Sequence, residues 1–385
     1  MQREALEHIP MTETFIAARD LLRQRNIPNL QRRLAEVNNL ICDTRLSPYE
    51  RRRRIFEAAT TSDFPLLFSN VLERQLVAAY KAAEPDVFGY IGQGIQNDFR
   101  SKDWLSAHGG EGALPKVLEH GEYTGVAIKE GKVESVLEKF GRAYPYSWES
   151  LLNDNLGALA PAARFARAAR RTVWKEATKL IAEPTAPHTG LYGAPVTHPL
   201  DGTSITNLSA RILGVDTLGP AIQDMADQVD FDGEPIIIEK IHLVVPPAGR
   251  TKMFEVLESE TIVAAGTAGA VTIRGSRNPA KLYNVTPHTN PYLPIVNTTN
   301  GVSCWYLFAD PGVDGPAAVL NFLRGRVTPE VVFKSSDKVA AGGAPISPLE
   351  GDFWNDVIWV RARHIMGGVR LDPRRTRVET GGFTT

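Results

Sequence analysis

The side chains that most often do chemistry are scattered along this sequence. The 8 histidines, His8, His108, His120, His188, His198, His242, His288 and His364, form no HExxH or HxH pair and have no carboxylate at metal-ligand spacing, so no metal centre is expected. Cys42 and Cys304 lie far apart and outside any CxxC spacing, which excludes a cysteine zinc site and a disulfide framework and fits a reducing compartment. There is no GxSxG elbow and no phosphate-binding loop. Gly89, Gly92 and Gly94 in GYIGQGIQNDF have neither the dinucleotide spacing nor a strand-to-helix unit around them. One arrangement holds the elements of a nucleophilic reaction: the amine of Lys129 or Lys132 reaching Asn355 of another subunit, with Glu350 or Asp352 as base. The plainer reading is a set of ordinary surface side chains. No cofactor and no enzymatic activity are expected.

The charge pattern is more specific. Lys+Arg total 43 and Asp+Glu 44, a formal net charge of -1, so any contact with nucleic acid must come from a local patch. Two patches qualify. Arg51 to Arg54 form a run of four that reads either as a solvated helix face or as a phosphate-facing one. In NLGALAPAARFARAARRTVWKEATKL, residues 155–180, Ala162, Phe165, Ala169, Val173 and Leu180 share one helical side, and Arg164, Arg167, Arg171 and Lys175 share the opposite one. A solvated face normally mixes signs. This one is nearly free of acids apart from Glu176, which suits a polyanion.

These residues need elements to hold them. At 385 residues with 43% hydrophobic content, the chain can bury a sizeable core and make roughly two or three domains. The first sixty residues carry little core of their own. Leu30, Leu34, Val37 and Ile41 fall at i, i+4, i+7 and i+11 after Pro28, giving one narrow helical stripe, and SPYE at 47–50 is a capping box that opens the arginine-rich helix. TSDFPLLFSNVLERQL, 61–76, starts the first well-made helix, with cap oxygens on Thr61, Ser62 and Asp63, Pro65 in the first turn, and Leu66, Val71, Leu72 and Leu76 as its apolar stripe.

Residues 113–143 read as two extended runs meeting at Glu130-Gly131, a long hairpin with charges on both faces that is not buried in its own subunit. A lone two-stranded hairpin is marginal in water, so this one needs a neighbour, which points to an assembly. Beyond Pro184 the pattern is that of an α+β domain. EPIIIEKIHLVV reads as a buried strand, PPAGRTKMFEVLESE as the helix after it, and LPIVN, SCWYLFAD, EVVFKSS and DVIWVRARHIMGGVRL as later strands. AAGGAPISPLEG, 340–351, reads as a crossing between subdomains. The N-terminal MQREALEHIP has no apolar core region and no apolar run approaches the ~18 residues that span a bilayer, so neither a signal peptide nor a membrane is expected.

A charged arm, a helix, a long hairpin, a long helix, an α+β domain and a returning C-terminal strand, in this order, resemble the major capsid protein of tailed phages, the Hong Kong 97 fold. TTSDFPLLFSNVL at 60–72, GRAYPYSWESLLNDNLGAL at 141–159, LVVPPA at 243–248, WYLFADP at 305–311 and VRARHIMGGVRLDPRR at 360–375 are similar to the Mu-type head-subunit branch of that family. The resemblance spans about 60–381 and rests on structural rather than catalytic stretches.

It implies an α+β fold with 1–60 as an N-terminal arm clasping adjacent subunits, 61–112 as the first part of a peripheral domain and 113–143 as an extended E-loop with its tip at Lys129, Glu130, Gly131 and Lys132. It further implies 144–184 as the spine helix of the peripheral domain, 185–340 as an axial domain around hexamer and pentamer centres, and 341–385 as the C-terminal part of the peripheral domain.

The implied role is structural: self-assembly as hexamers and pentamers into an icosahedral shell around double-stranded DNA, made in the host bacterial cytoplasm and found in the virion. The implied partners are further copies of the chain, the packaged DNA, a portal, a scaffold or maturation protease, and decoration proteins. Two rivals remain, an encapsulin-like compartment enclosing cargo enzymes and a soluble α+β hydrolase or transferase.

Overall fold

The computed structural model describes residue 80 and residues 86–108, 112–147, 161–259, 261–263, 275–334, 336–342 and 351–383, with short gaps inside 112–128 and at 340. The expected arm with Leu30, Leu34, Val37 and Ile41, the arginines at 51–54 and the helix from about 63 to 83 lie outside the described residues, Tyr80 excepted.

The chain lays down strands β1 (Gly92–Gln96), β2 (Lys102–His108), β3 (Lys129–Ser135) and β4 (Glu138–Ser147), then the long helix α1 (Pro161–Ile181). Short strands β5 (Val196–Thr197), β6 (Ser204–Ile205) and β7 (Leu208–Ser209) lead to α2 (Val215–Ala226), β8 (Ile241–Val245) and α3 (Arg250–Glu258). Then come β9 (Thr261–Val263), β10 (Gly275–Arg277), β11 (Val285–Thr289) and the single turn α4 (Leu293–Val296). β12 (Trp305–Ala309), β13 (Ala318–Leu323), β14 (Glu330–Phe333), the long β15 (Val357–Arg370) and β16 (Thr376–Glu379) complete an α+β fold.

The chain divides into two compact units, one of 85–139, 171–327 and 365–385, the other of 1–84, 140–170 and 328–364. The first unit is built on a five-stranded sheet in the order β11-β8-β12-β16-β7. Its residues alternate with period two. Ile241, Leu243 and Val245 of β8 and Trp305, Leu307 and Ala309 of β12 pack with Leu218, Ile222 and Met225 of α2 and Met253 and Val256 of α3. The intervening Tyr306 and Phe308 join Tyr90 and Tyr192 in an aromatic layer, with ring centroids 5.1 Å apart for Tyr90 and Phe308 and 5.5 Å for Tyr192 and Tyr306. With both faces covered, β8 and β12 are buried along their whole length, which is why they read as unbroken apolar runs. In the same unit, β1 runs parallel to β13, which pairs antiparallel with the second half of β15.

In the other unit, β14 pairs antiparallel with the first half of β15, from Glu330 opposite Arg363 to Phe333 opposite Val360. Phe165 of α1 packs on Tyr144 of β4 at 5.3 Å, and Tyr80 meets His364 edge-on at 5.7 Å.

The structure corrects five expectations. The chain does not reverse at Glu130-Gly131: Lys129, Glu130, Gly131 and Lys132 run inside β3, paired with His108, Ala107, Ser106 and Leu105 of β2. Nor does the hairpin stand clear of its own chain. Gly131 is buried against the Leu200 carbonyl, and the N–H groups of Gly112 and Ala113 donate to Asp232 (3.1 Å) and Glu234 (3.0 Å).

The strand expected across EPIIIEKIHLVV begins only at Ile241, because the N–H groups of Glu239 and Lys240 turn to the carboxylate of Asp314 (3.2 and 3.4 Å), and Ile237 is exposed. LPIVN forms α4 rather than a strand, with Pro294 supplying the φ of a first helical turn.

The C-terminal residues do not all fall in the unit that contains β14. β16 inserts between β12 and β7 in the sheet of the first unit, and its four residues are buried, with Glu379 held by Ser209, Arg211 and Arg377.

Candidate functional site

Helix α1 carries the clearest functional surface. Its sequence is rich in alanine and arginine, both strong helix formers, and Pro161 stands at its first position, where its missing N–H costs nothing. Phe165, Ala166, Ala169, Val173, Ala177, Leu180 and Ile181 are buried, Val173 completely. Arg164, Arg167, Arg171 and Lys175 are all exposed. The one acid nearby, Glu176, is engaged by Lys179 at 2.7 Å, so it does not neutralise the row. Among the described residues no carboxylate pairs with any of the four cations.

The hairpin of β2 and β3 is the second surface. Leu105 is 75% exposed, Leu114 94%, Tyr123 88% and Ile128 68%, an apolar series on an element with two strands. Lys132 is tied to Asp103 (3.1 Å) and Glu134 (2.9 Å), and these carboxylates, Glu134 first, raise its pKa. A lysine must lose its proton to attack, so this pairing works against Lys132 as a nucleophile. Lys129 lies over the ring of Phe231 at 5.0 Å.

Asn355 is exposed in a tight turn, where its N–H donates to Asp352 at 3.1 Å. The N–H of Val357 (3.0 Å), opposed by some desolvation and aided by that of Asn355, holds the Asp352 carboxyl below its ordinary range, which makes it a poor base. Glu350 lies outside the described residues. Lys129, Lys132 and Asp352 are thus each held in a structural contact, and Glu350 is not described.

His198 and His188 are likewise held in structural contacts. His198 stands between Asp201 (3.1 Å) and Asp372 (3.2 Å), and His188 meets Glu183 at 3.2 Å. Among the described residues no group of three ligating side chains could hold a metal ion. Gly92 and Gly94 lie inside β1, a strand parallel to β13, and not at the strand-to-helix turn a dinucleotide needs. One constellation escaped sequence reasoning: His242 and His288 face each other at 2.8 Å between Asp310 and Asp86. The available signal was a histidine inside the otherwise apolar run IHLVV.

A protein-family model described as phage capsid protein matches residues 130–377, more than half of the chain. The chain belongs to the phage capsid protein family. It is a structural major capsid protein, a component of the virion that assembles with copies of itself into the shell of the phage head.

No curated protein matches the chain. Similar solved structures include one from Mycobacterium phage Patience, at 12% identity over 84% of this chain and 90% of that one with a TM-score of 0.46. The mature capsid of bacteriophage PhiM1 is similar at 10% identity over 78% and 87% with a TM-score of 0.46. The capsid of cyanophage P-SCSP1u is similar at 11% identity over 76% and 86% with a TM-score of 0.44.

Proposed function

We propose that this major capsid protein closes as hexamers and pentamers around double-stranded DNA, with the cationic face of α1 turned toward the DNA. The observation that carries the reading is the helix itself: one side is buried and the other holds Arg164, Arg167, Arg171 and Lys175, exposed and without a carboxylate partner among the described residues. From the first to the last of these the axis advances about 16 Å, a length over which duplex DNA presents roughly ten phosphate charges. The contact would neutralise phosphate charge without reading sequence.

The exposed apolar side chains of the β2–β3 hairpin would be covered by a neighbouring subunit, and the arm at 1–60 would clasp another. Residues 185–340 would line the hexamer and pentamer centres, and the chain would belong to the Mu-type branch. Assembly in a bacterial cytoplasm with a portal and a scaffold or maturation protease belongs to the same reading, as does a role without catalysis.

The test is the double substitution Arg164→Gln and Arg171→Gln. Empty shells should form normally, while DNA-filled heads lose heat stability by a margin that shrinks as salt rises. Failure of empty shells would make the row a subunit interface. Filled heads that behave as wild type would remove the DNA-facing role of the row.

A further inference from the structure

We propose that the buried His242–His288 pair, strung between Asp310 and Asp86, is a proton-operated clamp on the turn that feeds β1. The two rings are 2% and 6% exposed. Lys240 Nζ lies 2.8 Å from Asp310 Oδ2, which lies 3.1 Å from His242 Nε2. His242 Nδ1 is 2.8 Å from His288 Nε2, and His288 Nδ1 is 2.8 Å from Asp86 Oδ2. The groups form a row in which each nitrogen faces a single neighbour, unlike a metal cage in which ligands converge.

Counting protons shows what the row does. Three contacts join the two rings and two carboxylates, and with both carboxylates ionised each contact needs one ring proton, yet two neutral imidazoles bring only two. His242 Nε2–H donating to Asp310 and His288 Nε2–H donating to His242 Nδ1 use both. His288 Nδ1 is then a bare acceptor opposite a carboxylate, and in the structure this buried nitrogen makes no hydrogen bond despite lying close to Asp86. One further proton on His288 Nδ1 completes the row and brings it, with Lys240, to zero net charge. A second would place N–H groups on both facing nitrogens and break the ring pair.

The surroundings decide where the proton goes. Burial, opposed by the hydrogen bond to Asp310 and aided by His288 and Lys240, pushes His242 below its ordinary value, so His242 is the ring that stays neutral. The titratable neighbours are Lys240 beside β8, Asp310 after β12, and Asp86 and Tyr90 from the turn, whose phenol burial keeps protonated; β11 supplies His288 itself. The turn sits directly on the ring, since a Cβ at Gly89 would fall 2.7 Å from His288 Cε1. A proton that joins His288 to Asp86 therefore fastens residues 86–91. Because this contact needs the added proton, the fastening is present at lower pH and lost as pH rises.

The amides of Tyr90 and Ile91, which donate to the Val87 carbonyl at 3.3 and 3.0 Å, report on the turn. Their hydrogen-exchange protection in the full-length protein, corrected for intrinsic exchange, should be about tenfold greater near pH 6 than near pH 8. In D86N the carboxamide can donate to the bare His288 Nδ1, so protection should be high at both values; in D86A it should be low at both. Asp86 is largely exposed, so neither change threatens the core. Equal wild-type protection at the two pH values, or a wild-type step retained in either variant, overturns the clamp.

Discussion

Gly131 of β3 lies against the backbone of Leu200 so closely that a Cβ built on it would fall 1.8 Å from the Leu200 carbonyl oxygen. The obstacle is backbone, so the hairpin itself would have to lift. Gly131→Ala should cost about 1–3 kcal/mol through this overpacking. Circular dichroism should remain that of the wild type while thermal unfolding of the subunit moves down by several degrees. An unchanged Tm would mean that the hairpin does not rest on Leu200.

Glu379 is fully buried at the end of β16 and organises two arginines: it lies 2.8 Å from Arg377 Nε and 3.4 Å from Arg211 Nη1, while Asp224 takes the same pair at 2.7 and 2.6 Å. Glu379→Gln removes half of the negative charge from this cluster and leaves buried Arg377 under-compensated, which should destabilise the subunit by about 3–5 kcal/mol. Urea unfolding measures this directly. A loss below about 1 kcal/mol, the range of exposed pairs, would show that water reaches the cluster.

What was legible in the sequence follows from how local each signal is. The two sides of α1 were readable because Phe165, Ala169, Val173 and Leu180 recur with the helical period, as do the four cations opposite them. The strands at 305–309, 330–333 and 357–370 were readable from their apolar and β-branched content. Glu130-Gly131 looked like a turn because glycine often marks one, whereas Gly131 answers a close approach from Leu200, about seventy positions away, that no window contains. The seat of β16 between β12 and β7 and the meeting of His242 with His288 are likewise products of strand order, which local pattern does not encode.

Asp310 gives a pH dependence of definite sign. Lys240 above all, then, against the cost of burial, His242 and the N–H of Gly312, hold its carboxyl well below the usual carboxylate range. A folded-state value below the unfolded one contributes stability above about pH 4 that disappears as pH falls toward the depressed value. Lys240→Met should therefore be less stable than wild type at neutral pH, with the gap closing on acidification. Urea midpoints across the acid range would show it, and a gap independent of pH would mean that Lys240 contributes through packing of its stem alone.

The arm makes the remaining prediction, and it rests on sequence spacing. Leu30, Leu34, Val37 and Ile41 define a stripe too narrow to support an independent domain, so in a shell-forming protein the stripe has use only against another surface. Replacing Leu34 and Val37 together with serine should remove on the order of 2–5 kcal/mol of burial at each docked arm. Assembled particles would then break at lower temperature and at milder salt, while the isolated subunit keeps its own melting profile, because the stripe adds nothing to the core of the subunit that carries it. Light scattering during heating follows the particles and calorimetry the subunit. Particles as stable as wild type would show that the arm clasps nothing, and a subunit that melts early would place the stripe inside its own fold.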